Sequence, residues 1–334
     1  MFEQVHSAKP DPILGLLEIF REDHRPNKVN LTVGVYQDEQ GRTPILATVK
    51  RAEAMLLECE TTKEYLGMAG RSDLGRLVPE LVWGQRPDHP WGLATATLQT
   101  PGGSGALRVV ADFLHGATPE ATVWLSDPTW PNHPGIFQAA GMRSRTYRYL
   151  ARESNELDFE GMLADLSCAR AGDAVVLHGC CHNPTGVDLS VDEWSTIALL
   201  VSEKGLVPIV DFAYQGYAQG ITEDGAGLRE LSQAVTELFV CVSFSKTFGL
   251  YRERAGALIA AGRQASTVAS VESRLKLCVR TNYSNPPSHG GSIVATILAD
   301  RDLRTAWEHE VAGMRHRVAA MRHQFAECLA SLGA

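Results

Sequence analysis

No stretch of the 334-residue chain approaches the roughly 18 unbroken apolar residues that a membrane-spanning helix needs. Its first dozen residues, Met1 to Pro12, are polar and lack the apolar centre of a secretory leader. No Cys-x-x-Cys pair occurs among the seven cysteines, and their odd number argues against a disulfide framework. These absences predict a protein of the reducing cytoplasm, with no membrane partner. Positive charge is also short. The 31 Lys and Arg against 39 Asp and Glu leave a formal charge of −8, which argues against a nucleic-acid binder. Internal repeats and low-complexity linkers are missing. The remaining composition, 44% hydrophobic and 21% charged, is that of an ordinary globular chain long enough for one large or two ordinary domains.

Residues 1–10 read as an extended arm. Asp11-Pro12 reads as N-cap and first helical position of a helix from Ile13 to about Asp23. Val29 to Tyr36 is strand-like, broken at Gly34, and a helix is predicted from about Pro44 to Cys59. A loop holds Tyr65. From Leu98 onward strands and helices alternate. The predicted strands are Thr122–Ser126, Arg145–Tyr149, Ala174–His178, Leu206–Asp211, Leu238–Val242 and Gly256–Ala260. Helices are predicted over Ser104–His115, Asp158–Arg170, Val191–Glu203 and Gly225–Val235. This alternation predicts an α/β fold with a mostly parallel sheet covered by helices on both faces. The last element is a long helix from about Arg301 to Leu332. Its apolar residues, Trp307, Val311, Met314, Val318, Met321, Phe325, Cys328 and Leu332, form one narrow stripe.

Chemistry gathers at the ends of the predicted strands, where open α/β sheets hold ligands. After Leu238–Val242 come Ser243, Ser245, Lys246 and, further on, Arg254. Partial burial turns a lysine amine into a nucleophile, while serine hydroxyls and an arginine fork are phosphate ligands. An amine beside a phosphate cradle points to condensation with a phosphorylated aldehyde, of which pyridoxal phosphate is the usual one; a solvated loop lysine is the plain alternative. The glycine-rich turn at Thr100–Arg108 opens a helix whose free N–H groups suit an anion, or it is a simple helix entry. It fits neither a P-loop, the GxGxxG spacing, nor GxSxG, where Ala106 replaces the last glycine. His178–Gly186 reads either as a tight turn or as a loop that offers the Asn183 amide at the sheet edge. A Cys-Cys-His zinc site there is disfavoured, because adjacent cysteines fit one tetrahedral metal poorly and no fourth ligand is suitably spaced. No metal is predicted. Asp211 ends a buried strand and needs a cationic partner, such as a protonated pyridine nitrogen; capping the next turn is its other reading. Trp130 either stacks on a planar ligand or fills the core.

Taken together, GGSGALR, SDPTWPNH, HGCCHNPTG, DFAYQG, SFSKTFGLYRER and RTNYSNPP resemble the active-site segments of class I aspartate and aromatic amino-acid aminotransferases, in the same order along essentially the whole chain. That family consists of fold-type I enzymes dependent on pyridoxal 5'-phosphate. The resemblance implies an arm over residues 1–10, a small domain begun by 11–43, a large cofactor-binding domain over 44–305, and a return to the small domain over 306–334. It implies that Lys246 carries the cofactor, Asp211 pairs with its ring nitrogen, and Tyr214 and Asn183 bond its phenolic oxygen. Trp130 would stack on the ring, and Gly103, Ser104, Ser243 and Arg254 would hold the phosphate. His133 and His178 would support Asp211. Tyr65 and Arg280 would cross a homodimer interface, to a phosphate and to a substrate side-chain carboxylate respectively, and Gly34 would lie in a mobile segment over the substrate. Trp130 and Asn183 would also face the substrate.

Substrates implied are aspartate or aromatic amino acids, with 2-oxoglutarate as the amino acceptor. Ser104 is the residue that aromatic-accepting members often carry, while Asn285 and Thr43 look like the aspartate-selective set. The family continues for several dozen residues past Ala334, in a part that carries an arginine for the α-carboxylate, and no residue here is assigned that role. A cofactor-binding chain with impaired turnover is therefore one alternative, and a lyase or decarboxylase on the same fold another; Arg280 speaks against the latter.

Overall fold

The computed structural model describes residues 2–6, 14–30, 34–84 and 92–333. The chain divides into two compact units, Met1–Pro44 and Ile45–Ala334. In the first unit, α1 spans Leu14–Glu22, while the predicted cap at Asp11-Pro12 lies outside the described residues. The end of α1 is closed by Lys28, whose Nζ donates to the carbonyls of Phe20 (2.6 Å) and Asp23 (2.5 Å), a cation at the negative end of a helix. The predicted strand over Val29–Tyr36 is not formed at residues 29–30 and 34–36, and 31–33 lie outside the described residues. Among the described residues this unit holds no strand for it to pair with, and a lone strand leaves its backbone groups unpaired.

The second unit begins with α2 (Ala47–Cys59), whose first N–H groups are capped from far along the chain. The Glu310 carboxylate accepts from the Ala47 and Thr48 N–H groups at 2.6 and 3.2 Å. There follow α3 (Leu74–Trp83), β1 (Ala94–Thr100), α4 (Gly102–Ala117), β2 (Thr122–Asp127), α5 (Asn132–Ala139) and β3 (Arg143–Arg148). A small hairpin, β4 (Leu150–Ala151) with β5 (Glu156–Leu157), leads to α6 (Phe159–Leu166), capped by Asp158. Next are β6 (Ala174–His178), α7 (Val191–Lys204), β7 (Val207–Phe212), α8 (Ala226–Ala234), β8 (Glu237–Ser243) and β9 (Gly256–Gly262). Three helices close the chain: α9 (Ala265–Asn282), α10 (Ser288–Ala299) and α11 (Arg301–Ser331).

Seven strands form one sheet in the order β1-β9-β8-β7-β6-β2-β3. The ladders from β8 across to β3 are parallel, and β9 runs antiparallel to both its neighbours. The central strands are mostly apolar up to their carboxyl ends because helices cover both faces; every residue of β9 is buried. Strand order reverses between β2 and β6, so a crevice opens outside their carboxyl ends. Register sets His178 beside Asp211 and Asp211 beside Cys241 across β6, β7 and β8.

The helix α11 is anchored by its first half. Trp307, Val311 and Met314 are buried, while from Met321 onward the stripe, including Phe325 (64% exposed) and Leu332 (81%), faces outward. The Trp307 indole stacks on Phe248 (centroids 4.4 Å, 12°) and its N–H donates to the Thr247 carbonyl at 3.0 Å. Arg315 donates to the Gly216 carbonyl at 3.0 Å. Thus α11 grips the turn that follows β8. Trp307→Ala should cost about 3–5 kcal/mol of unfolding free energy, and Trp307→Phe, which keeps the stack and loses only the N–H, roughly 0.5–1.5 kcal/mol. Urea unfolding measures both, and equal losses would mean that ring packing contributes nothing here.

Candidate active site

β8 delivers its last residue, Ser243, to the carboxyl edge of the sheet, where the chain turns sharply. The Phe244 N–H donates to the Ala255 carbonyl at 3.1 Å and the Gly249 N–H to the Lys246 carbonyl at 3.0 Å. The Tyr217 hydroxyl also donates to the Lys246 carbonyl, at 3.2 Å. These bonds fix the backbone of Lys246 and leave its amine to point into a cavity at the carboxyl edge of the sheet. The amine lies 5.0 Å from the centroid of the Tyr214 ring. Burial lowers its pKa, partly countered by the Asp211 charge and reinforced by Arg254.

One end of the cavity is built for an anion. The start of α4 carries no side-chain cap, so its first N–H groups are free to bind. Gly102 adopts φ +74, and a Cβ there would sit 2.7 Å from Arg254 Nη2. Gly256 in β9 has the same backbone pressed against it: an added Cβ would lie 2.6 Å from the Gly102 carbonyl carbon. Only glycine at both positions lets helix, strand and guanidinium meet. Ser243 and Ser245 are both buried, and Arg254 Nη1 donates to Ser245 Oγ at 3.2 Å. Gly103, Ser104, Ser243, Ser245 and Arg254 all line this end.

At the other end lies Asp211, 8% exposed. His133 Nε2 lies 3.0 Å from its Oδ2, and His133 Nδ1 lies 2.7 Å from Thr129 Oγ1. An ionised carboxylate only accepts, so Nε2–H donates to it and Nδ1 accepts from the threonine hydroxyl. Burial pushes the Asp211 carboxyl up. The His133 hydrogen bond, with His133, His178 and Lys246 nearby, more than offsets this and leaves it below its ordinary range. A buried carboxylate kept ionised is a receptor for a cation. His133, His178 and Asp211 bring ligating atoms within 4.8 Å of one another, but both His133 nitrogens are already occupied by Thr129 and Asp211.

His178 stacks on His133 (5.2 Å between centroids), and both its ring nitrogens are buried without a partner. Burial lowers its pKa to about 4. Burial, then the neighbouring His178 and His133, lowers that of His182 to about 2. Tyr214 is pushed up to about 12, first by burial and then by the Asp211 charge.

Of the residues singled out from the sequence, Gly103, Ser104, Trp130, Asn183, Asp211, Tyr214, Ser243, Lys246 and Arg254 line this one cavity, and His178 joins them. Tyr65, 91% exposed, and Arg280, also exposed and bonded through Nη1 to Ser284 Oγ at 2.5 Å, do not line it. Gly34 belongs to the first unit, where it is exposed. Ser245, one of the two serines placed before Lys246 from the sequence, also lines the cavity, as do Cys180, Cys181, Ala213 and Leu107, to which the sequence assigned no wall position.

The two lowered histidines make the protein acid-sensitive. Unfolded, both titrate near 6.5; folded, they stay neutral far below that. The unfolded chain therefore binds more protons as pH falls, and stability is full above about pH 6.5 and declines toward pH 4. The slope should approach about 1.4 kcal/mol per pH unit for each histidine. Urea unfolding between pH 7.5 and 4.5 checks this, with His178→Gln expected to flatten the decline; an unchanged slope in that variant would contradict it.

Residues 26–334 match the family described as aminotransferase class I and II. The chain is 51% identical over 334 residues to the aspartate aminotransferase of Salmonella typhi, covering all of this chain and 84% of that one. It is 45% identical over 332 residues to the aromatic-amino-acid aminotransferase of Pseudomonas aeruginosa, covering 99% of this chain and 83% of the relative. Among solved structures, the aromatic-amino-acid aminotransferase of Burkholderia pseudomallei covalently bound to pyridoxal phosphate superposes with a TM-score of 0.95 at 44% identity, over all of this chain and 84% of that one. On fold, strand-end chemistry and sequence identity alike, the chain belongs to the class I and II aminotransferase family.

Proposed function

We propose that this chain is a transaminase that uses pyridoxal 5'-phosphate to move the amino group between aspartate or aromatic amino acids and 2-oxoglutarate. The observation that carries this reading is one cavity in which a partly buried lysine amine stands between an anion cradle and an ionised buried aspartate. The fit to the cofactor is chemical at each end. The capless start of α4 with Ser104, Ser243, Ser245 and Arg254 suits a phosphate, and Asp211 suits a protonated ring nitrogen.

When bound, the cofactor supplies a carbonyl that exchanges for the substrate amine and a ring that takes up the electron pair released at the substrate Cα. The protein's residues do the rest. Asp211 would hold the proton on the ring nitrogen; a pair of unit charges about 4 Å apart is worth on the order of 4 kcal/mol at an effective dielectric near 20. The Lys246 amine, its pKa lowered by burial, would move the proton from Cα, a role typically worth about 10²–10⁴ in rate. Tyr214 and Asn183, both on the cavity wall, would donate to the phenolic oxygen, and the raised Tyr214 pKa keeps its hydroxyl a donor. Trp130 would cover the ring.

Partner and location follow from the same reading. Tyr65 and Arg280 are exposed and lie off the cavity, so they would serve a site in a second copy of the chain, a homodimer. Leu57 (85% exposed) on α2 and Leu277 (54%) on α9 offer apolar surface for it. All seven cysteines are unpaired, in keeping with the reducing cytoplasm. Among the described residues no helix is long and apolar enough to cross a membrane.

Purified protein given pyridoxal 5'-phosphate should absorb in the visible, lose that band on borohydride reduction, and carry the label on the peptide containing Lys246. Label on any other peptide would overturn the assignment. Arg280 supplies a planar fork for a second carboxylate. Arg280→Ala should lower kcat/KM for aspartate by about 10²–10⁴, the equivalent of two charged hydrogen bonds, and that for phenylalanine much less. Equal losses for the two substrates in steady-state assays would make Arg280 a structural residue.

A further inference from the structure

Cys181, on the cavity wall, has φ +49, a left-handed conformation in which a side chain is strained. Something must hold it there. The Cys181 and His182 N–H groups, successive in the chain, both donate at 2.7 Å to the two carboxylate oxygens of Asp188. Such a pair of converging N–H groups is a built anion receptor. Asp188 is exposed and does not line the cavity. It therefore grips the turn from outside, while Cys181 and Asn183, flanking His182, face the ligand. The rest of the loop is tied down around this grip. His182 is 2% exposed, its ring hydrogen-bonded with Ser126 Oγ (3.0 Å) and Thr185 Oγ1 (2.9 Å) and stacked on Tyr149 at 3.8 Å. The Tyr149 hydroxyl donates to the Val187 carbonyl at 2.7 Å, next to Asp188 itself.

We propose that Asp188 is a positioning residue whose carboxylate stabilises the left-handed Cys181 turn and thereby holds the Asn183 amide against the cofactor. What Asn183 touches rests on the transaminase reading above; the clamp itself does not. Without the carboxylate, two N–H groups lose their acceptor, Cys181 relaxes toward negative φ, and Asn183, two residues on, leaves the wall.

The test is a double-mutant cycle on the full chain loaded with pyridoxal 5'-phosphate. Asp188→Ala should weaken cofactor binding and kcat/KM by about 10- to 100-fold, and shift the pH midpoint of the visible band. Asp188→Asn, which keeps one acceptor oxygen, should fall between it and wild type. In a Cys181→Gly background the same Asp188→Ala change should cost no more than about threefold, because glycine takes positive φ freely. A merely structural Asp188 would lower Tm and leave the midpoint in place. Equal losses in the two backgrounds, or an unmoved midpoint and affinity, overturn the proposal. Amide hydrogen exchange over residues 180–186 reads the clamp without any cofactor: protection should be lost in Asp188→Ala and kept in the double variant. A wild-type protein that gains no visible band would overturn the transaminase reading alone, since the exchange result still decides the clamp.

Discussion

The site depends on keeping the Asp211 carboxylate ionised away from water. An isolated charge in such a place would take up a proton instead. Here the cost is offset by one directed hydrogen bond from His133, itself fixed by Thr129, with the Lys246 amine nearby. Everything around this carboxylate answers to it. The threonine hydroxyl sets the His133 tautomer, the His178 ring stacks against His133, and register in the parallel ladder sets His178 directly beside Asp211. The same negative charge raises Tyr214 and partly counters the lowering of Lys246, so a single buried group tunes both an acid and a base of the cavity.

The sheet makes this possible by bringing distant segments to one edge. Because β2, β6, β7 and β8 run parallel, their carboxyl ends emerge together, and Trp130, Asn183, Tyr214 and Lys246 follow those four ends in turn. The antiparallel β9 adds what a wholly parallel sheet would not. It starts at this same edge, so Arg254, just before it, returns to the cavity mouth beside the start of α4. Glycine at 102 and 256 is what the close crossing requires.

Much of this was readable from residue order. The strands β6, β7 and β8 are short apolar runs ending in His178, Asp211–Phe212 and Ser243, and a buried parallel strand can hardly look otherwise. By contrast β1, with its sequence ATATLQT, carries too little hydrophobic signal to stand out, and α3 holds a proline at 79 that argues against a helix. The Val29–Tyr36 run had the residues of a strand, but at 29–30 and 34–36 no strand forms. In the site, strand-end positions were legible and long-range ones were not. Nothing in the sequence says that Ser245 takes a hydrogen bond from Arg254, that Glu310 caps α2, or that Asp188 folds back onto 181 and 182, since each depends on a turn whose closure is set in three dimensions.

The lysine turn is the clearest case of distant support. Its backbone is held by Tyr217, by the Thr247 hydroxyl donating to the Gln215 carbonyl at 3.0 Å, and by the Trp307 indole on α11. Gln215 in turn donates to Leu81 at the end of α3 and to Ile221, and Asp224 gathers four N–H groups from Gly216 to Gly220. The segments after β7 and β8 are thus welded into one rigid edge, and α11 is bolted to both through Trp307 and Arg315. An amine whose pKa is lowered by burial stays lowered only while its enclosure stays closed. The reactivity of Lys246 is therefore a property of this welded edge, and the packing of an indole 61 positions further along the chain belongs to the chemistry as much as to the fold.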